Sequence, residues 1–437
     1  MTEKQKSYRS SFILLTVLFF LWGFITVLVD SLIPRLRELF TLSYFQAGMV
    51  QFAFFGAFFL LSIPASFILS KTGYKRGIIL GLFTMAIGCF LFYPAASYRE
   101  FGIFMLAYFI LAGGITILQV AANPYVAVLG SEDGASSRLN LSQAFNSLGT
   151  AIAPVVGAAF ILSDTIKTKT EISALGDGAR ETYLASEAAA VQTPFLYLAT
   201  FIILIAVFFF FIKLPKLISD SSTGTYADTF KQKNLMFGVL GIFFYVGAEV
   251  AIGSYLVNYF LDMNIPSLIE SNGFMKSIAE RILNSGLAEN DSKAIVGVFV
   301  TFYWSGAMIG RFIGSWLTKI IKPGRVLQIF ASIAILLIII SINTTGLLSM
   351  WTILGVGLFN SIMFPTIFTL AIDGIGGLKP KGSGLLCTAI VGGAIIPPLF
   401  GKATDLMGFK VALILVICCY VYILWYGFKN ARRALNV

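Results

Sequence analysis

Nine stretches of this 437-residue chain carry no Asp, Glu, Lys or Arg: Ser10–Val29, Leu39–Ser70, Gly77–Tyr98, Phe101–Ser131, Leu139–Ser163, Ala188–Ile212, Val326–Ile372, Gly382–Gly401 and Val411–Phe428. Crossing the hydrocarbon core of a bilayer takes about 20 mostly apolar residues in a helix, because only a backbone bonded to itself is tolerated there. Each run approaches or exceeds that length. Charged residues make up 12% of the chain, about half the ~25% usual in soluble domains. The expected fold class is an all-α, polytopic membrane protein.

Composition removes several function classes. The chain has no histidine, which excludes a Ser-His-Asp triad, a His-bearing zinc site and an imidazole proton relay. The four cysteines, Cys89, Cys387, Cys418 and Cys419, lie inside apolar runs without a CxxC pattern and are expected as buried free thiols. A net charge of +10 raises nucleic acid as a partner, but no basic patch interleaved with aromatics accompanies it. The first apolar run follows Lys4, Lys6 and Arg9 as a signal peptide's would. It is too long and lacks a small-residue cleavage site, so it reads as a retained helix.

The 47-residue run Val326–Ile372 holds two spans joined at Asn343-Thr344-Thr345-Gly346, and two more spans are each interrupted by one charge, Glu249 or Arg311. The expected helices are roughly 11–34, 46–70, 77–97, 101–128, 139–162, 193–213, 234–260, 294–318, 326–342, 347–372, 382–404 and 409–428, twelve in all. With both termini cytoplasmic, the inner segments hold 19 Lys and Arg against five in the short outer ones, as the positive-inside rule requires. Much of the basic character is this bias. The longest inner connection, Leu214–Gln232, divides the spans six and six. Two long outer loops, 163–192 and 261–293, follow the fifth and seventh spans, and Leu268–Leu287 has the spacing of a short surface helix.

The halves repeat. Gly149, Pro154 and Gly157 in the fifth span are spaced five and three apart, as are Gly393, Pro398 and Gly401 in the eleventh. Gln119 stands five before Pro124 in the fourth span, and Asn360 five before Pro365 in the tenth. The loop Lys71-Thr-Gly73-Tyr-Lys75-Arg76 has its counterpart in Lys319-Ile-Ile-Lys322-Pro-Gly324-Arg325. Duplicated halves with proline-bearing helices are a transporter architecture, with substrate held near the midplane between halves that rock about it. The domains are then 1–213, a linker 214–232, and 233–437.

Several strings are more specific: Phe19-Phe-Leu-Trp22-Gly-Phe-Ile-Thr-Val-Leu-Val-Asp30, Gln119-Val-Ala-Ala-Asn123-Pro124-Tyr125-Val-Ala-Val-Leu-Gly130, Arg138-Leu-Asn140-Leu-Ser-Gln143-Ala-Phe145-Asn146-Ser147, Tyr245-Val-Gly247-Ala-Glu249 and Phe364-Pro365-Thr366. Through them nearly the whole chain resembles the major facilitator superfamily, and within it the fucose–proton symporter branch on its glucose/galactose side. The resemblance implies two pseudo-symmetric six-helix bundles in a bacterial inner membrane. It implies a monomeric importer of a hexose with a coupling cation, surrounded by lipid, with no cofactor, no resident metal, no nucleic-acid partner and no enzymatic activity. One departure bears on coupling. Proton-coupled fucose members carry glutamate where this chain has Gln119, and tend to have an amide where Glu249 stands. Losing a titratable group there while keeping an amide oxygen tilts the expectation toward sodium.

Polar residues inside the spans are the candidate site. Trp22, Thr26 and Asp30 recur every four residues on one face. An ionised carboxylate in such a span costs several kcal/mol unless paired or solvated, and the resemblance makes Asp30 the coupling group, with sodium bound transiently nearby. A position at the helix end, where Asp30 reaches the interface, is its structural alternative. Glu249 is expected to contact sugar or cation, against a structural ion pair with Arg311. Arg311 itself is expected to brace the inner loop. Gln143 and Asn146, Gln119 and Asn123, and Asn360 supply the paired donors and acceptors that sugar hydroxyls need. Amides also join helices in lipid at about 1 kcal/mol each. Gln119 and Glu249 are further coupling candidates. Trp22, Tyr245, Tyr303 and Trp304 are aromatics able to stack on a pyranose or simply to pack. A drug–proton antiporter of the same superfamily is the competing function. A transporter-derived sensor or membrane enzyme is a third, with no catalytic constellation in its favour.

Overall fold

The computed structural model describes residues 3–30, 44–160, 174–215 and 224–433, and among them no β-strand occurs. In chain order the α-helices are α1 (Glu3–Asp30), α2 (Tyr44–Thr72), α3 (Tyr74–Tyr98), α4 (Phe101–Val128), α5 (Ala135–Phe160), α6 (Asp177–Phe211), α7 (Tyr226–Phe230), α8 (Lys233–Asp262), α9 (Ile265–Ser271), α10 (Gly273–Leu283), α11 (Ser292–Ile320), α12 (Pro323–Asn343), α13 (Gly346–Asn360), α14 (Met363–Ile372), α15 (Lys379–Thr388), α16 (Gly392–Met407) and α17 (Phe409–Arg433). Among the described residues, eleven rods are long and apolar enough to cross a bilayer, with α13–α14 and α15–α16 counted as one each. The twelfth rod is α5, whose first half carries Arg138, Asn140, Gln143 and Asn146. The protein is a multi-pass membrane protein of the twelve-helix kind.

Connections between rods are short where a backbone can turn on one residue. Gly73 separates α2 from α3 at φ +81°, and Gly408 separates α16 from α17 at the same φ. That left-handed region strains any residue with a Cβ, so both corners depend on glycine.

Four expectations change. The outer connection after the fifth span is not all loop: α6 begins at Asp177, because Ala179 and Ala185, ahead of the apolar run, and Ala188–Ala190 at its start favour helix. Residues 161–173 of that connection, like 31–34 of the first span and 216–223 of the linker, lie outside the described residues. The single helix expected over Leu268–Leu287 is instead α9 and α10, because Asn272 leaves the helix and caps α10 by accepting from the Met275 amide at 3.1 Å. The tenth and eleventh rods are interrupted, at Ser361–Ile362 and Ala389–Val391. Finally, all four thiols are free but Cys418 is exposed. Adjacent helical positions point about 100° apart, so Cys418 and Cys419 face different ways.

The overhang of α6 is pinned by a surface pair. Arg99, the left-handed cap of α3, donates Nη1 and Nη2 to the two carboxylate oxygens of Glu181 at 3.1 and 2.5 Å. The hydrogen bonds from Arg99 hold the Glu181 carboxyl below its ordinary pKa. A depressed carboxylate stabilises the fold above its unfolded pKa and stops doing so as pH falls through its folded value. The gap in melting temperature between wild type and Glu181→Gln should therefore be small at neutral pH and close on acidification. A gap independent of pH would count against this pairing.

The chain forms two compact units. One comprises Met1–Glu132, Phe145–Gln232 and Gly374–Ala389, the other Asp133–Ala144, Lys233–Asp373 and Ile390–Val437. Each unit thus includes a short segment from the opposite half of the sequence. In the first, α15 lies along α2 and α4. In the second, the start of α5 lies against α11 and α14: the Ser136 and Thr369 hydroxyls are 2.5 Å apart, Asn140 Nδ2 donates to Thr366 Oγ1 at 3.2 Å, and Ser315 Oγ donates to the Ser137 carbonyl at 3.0 Å.

Candidate functional site

The polar residues of the second unit gather around a proline. Pro365 has no N–H, so the carbonyl four residues back, that of Ser361, loses its helical partner. The rod breaks at that point, and Arg311 of α11 supplies the missing donor, Nε to the Ser361 carbonyl at 3.2 Å. Gly310 lets α11 approach this closely, since a methyl there would lie 3.0 Å from Ser361 Cβ. The fourth rod follows the same logic. Pro124 releases the Val120 carbonyl, and Ser383 Oγ of α15 donates to it at 2.8 Å. Proline inside a membrane helix is tolerated where a neighbour re-satisfies the freed carbonyl.

Arg311 reaches further. Its Nη1 donates to the Gln143 carbonyl at 3.4 Å, and its Nη2 stands 3.9 Å from Glu249 Oε1. Both side chains are nearly enclosed, at 15% and 14% exposure. Glu249 Oε1 also accepts the Tyr245 phenol at 2.7 Å. The ion pair with Arg311, the structural alternative for Glu249, is therefore present. The bracing of the inner loop expected of Arg311 gives way to a role deep in the unit.

A second cluster adjoins the same rods. Asn360, fully buried at the end of α13, donates Nδ2 to the phenol oxygens of Tyr303 and Tyr420 at 2.7 and 3.2 Å. Among the described residues its own Oδ1 has no hydrogen-bond partner. Because both phenols accept, their protons are available to donate elsewhere, so the cluster presents two donors beside one acceptor. Gly357 makes the approach possible: a methyl there would lie 2.9 Å from the Tyr303 carbonyl carbon. Tyr303, for which stacking and packing were both open, hydrogen-bonds through its phenol and is fully buried. Trp304 is 47% exposed and packs edge-on against Tyr303, with ring centroids 5.1 Å apart.

The remaining candidates divide by unit. Gln143, Tyr245, Glu249 and Asn360 belong to the second. Trp22, Gln119, Asn123 and Asn146 belong to the first. Trp22 is buried with its ring 5.0 Å from that of Phe19. Asn146 Nδ2 donates to the Phe19 carbonyl at 2.9 Å, joining α5 to α1. Gln119 is half-buried and Asn123 fully buried on consecutive turns of α4. The Thr26 hydroxyl bonds to the Trp22 carbonyl of its own helix. Asp30 ends α1, and its side chain lies outside the described residues. Sequence reasoning passed over Tyr420 and underrated Arg311. The signal for Arg311 was present in a lone cation within an apolar span and a proline four residues after Ser361; Tyr420 offered none.

Comparison with known proteins follows this geometry. The Major Facilitator Superfamily profile matches residues 10–398. The chain belongs to the major facilitator superfamily. It is 45% identical to a glucose/galactose transporter of Brucella abortus, over 99% of this chain and 96% of that one. It is 34% identical to the L-fucose–proton symporter of Escherichia coli, over 99% and 96% of the two chains. The crystal structure of the superfamily transporter FucP in the outward conformation superposes with a TM-score of 0.85 at 33% identity, covering 97% of this chain and 99% of that one. These relatives are transporters, not enzymes. The chain shares the fold of that transporter.

Proposed function

We propose that the protein imports a hexose of the glucose/galactose type together with a cation, by alternating access, with sodium favoured over the proton. The observation that carries the sugar class is 45% identity along essentially the entire length of a glucose/galactose transporter, against 34% to the fucose symporter. The clusters agree in chemistry. A carboxylate oxygen at Glu249, an amide oxygen at Asn360 and two phenolic donors match the mixed donor–acceptor character of sugar hydroxyls. In this reading the moving bodies are 1–213 and 233–437, joined by 214–232. The protein works as a monomer in the inner membrane with both termini cytoplasmic, as the Lys and Arg bias favours. Gln119 in place of a symporter glutamate supports sodium. Hexose counterflow in proteoliposomes, challenged with unlabelled glucose, galactose and fucose, tests the assignment. Failure of glucose and galactose to compete would reject it, and efflux of a lipophilic cation would favour a drug antiporter.

Asn146 gives a residue-level test of the sugar site. Its Nδ2 donates to the Phe19 carbonyl, so Oδ1 is the atom that would accept from a sugar hydroxyl in this reading. Removing a buried hydrogen-bond partner costs about 1–3 kcal/mol, so Asn146→Ala should weaken hexose binding roughly ten- to hundredfold. Loss of the α1–α5 bond should lower stability by only about 1 kcal/mol. Unchanged affinity in folded mutant protein would remove Asn146 from the site.

A further inference from the structure

The connection between the two sequence halves is tied down at both described ends. Tyr125, at the end of α4, donates its phenol to the Pro215 carbonyl at 2.8 Å. At the far end, the Tyr226 phenol of α7 donates to Ser66 Oγ of α2. A five-residue helix does not hold by itself. Here a capping box fixes it: Thr225 Oγ1 accepts from the Asp228 amide at 3.2 Å, and Asp228 Oδ2 accepts from the Thr225 amide at 2.8 Å. Thr229 is fully buried beneath it.

The residue that Tyr226 grips is also the seat of α15. Gly384 rests on Ser66 so closely that a methyl there would lie 2.6 Å from Ser66 Oγ and 3.0 Å from the Ser62 carbonyl. Ser66 Oγ also donates to the Ile63 carbonyl at 2.9 Å, which fixes the side chain from within α2. One residue before Gly384, Ser383 caps the Val120 carbonyl released by Pro124. Just ahead of α15, Leu378 covers Gly224 of the connection, where a methyl would lie 2.7 Å from its side chain. Thus α7, α2 and α15 meet at one serine, and α15 is the segment of the second sequence half that joins the first unit.

We propose that α7 is a strap: Tyr226, by holding Ser66, keeps α15 seated on α2, and its release is a step in unseating α15 when this end of the carrier opens. The proposal rests on the carrier reading for the meaning of opening, but the contact itself is independent of sugar. A strap explains why a polar connection would build a capped helix on the side of α2. The glycine at 384 explains why a small displacement of Ser66 is felt by α15, since backbone and side chain there are in direct contact.

Cys387, fully buried on α15, is a native reporter. With Cys89, Cys418 and Cys419 replaced by alanine, its rate of maleimide labelling in purified full-length protein measures how often α15 lifts away. Loss of one net hydrogen bond shifts a two-state population by about three- to tenfold. Tyr226→Phe should therefore speed labelling by about that factor with the ring packing retained. Ser66→Ala should do the same, and the double variant should add little to either single one, because both remove the same bond. Labelling at the wild-type rate in folded Tyr226→Phe protein overturns the strap, as does full additivity of the two changes. If labelling accelerates as expected while hexose counterflow is absent from wild type, the carrier reading fails and the strap stands.

Discussion

Replacing Asp30 by asparagine should abolish uphill hexose accumulation while sparing sugar counterflow. Accumulation requires a cation whose binding differs between two conformations and is linked to that of sugar. Asp30 closes α1 two turns after Trp22, on the first helix of the first unit. Asparagine keeps the shape and removes the charge that a sodium ion or a transferable proton requires. Counterflow exchanges labelled for unlabelled sugar and need not return the empty carrier, so it survives loss of the ion. Vesicles with an imposed gradient provide the measurement, at equal protein content. Normal accumulation by Asp30→Asn would end its assignment to coupling. In sodium-free buffer, a pH gradient that alone drives wild-type accumulation would decide for the proton.

Arg311→Ala should be the most destabilising single change at the candidate site, by about 3–5 kcal/mol, the range found when one partner of a buried pair is deleted. The substitution leaves Glu249 enclosed without its cation and strips donors from the Ser361 and Gln143 carbonyls. The loss at Ser361 weighs heavily because Pro365 makes its carbonyl depend on a donor outside its own helix. The cause can be divided by a double variant. Glu249→Gln with Arg311→Ala removes the stranded charge but not the bare carbonyls, so it should recover part of the loss and not all of it. Thermal unfolding in detergent reads both. An Arg311→Ala protein melting with the wild type, or full recovery in the double variant, would show that the proline-released carbonyl carries no energetic weight.

How much of this was readable beforehand follows from the range over which each interaction acts. Length of an apolar run, a glycine corner and a basic loop are local, and bilayer physics translates them directly into spans and orientation. The fourth span, expected over 101–128, is the helix Phe101–Val128, and the expected division at Asn343–Gly346 falls between α12 and α13. The early start of α6 escaped because apolar content stops at the membrane while helix propensity does not. The interruption after Asn360 was half visible: Pro365 announced a freed carbonyl, but the matching Pro124 sits in an unbroken helix. Whether a rod breaks depends on which neighbour satisfies that carbonyl, and the neighbour is distant in sequence.

The same division holds for the site. Residue chemistry along the chain marks which groups are able to serve: Glu249, Gln143, Asn146 and Asn360 stand out because polar groups are expensive in lipid. Which partners each one meets is fixed by helix packing. It put Tyr245 and Arg311 on Glu249, and committed the Asn360 amide to two phenols from α11 and α17. It also turned Asn146 toward α1 and drew α15 onto Ser66. Hydrogen bonds act over about 3 Å, and those of Asn360 and Asn146 join residues 57 to 127 positions apart. No periodicity along the chain encodes such a meeting, which exists only once the helices have packed.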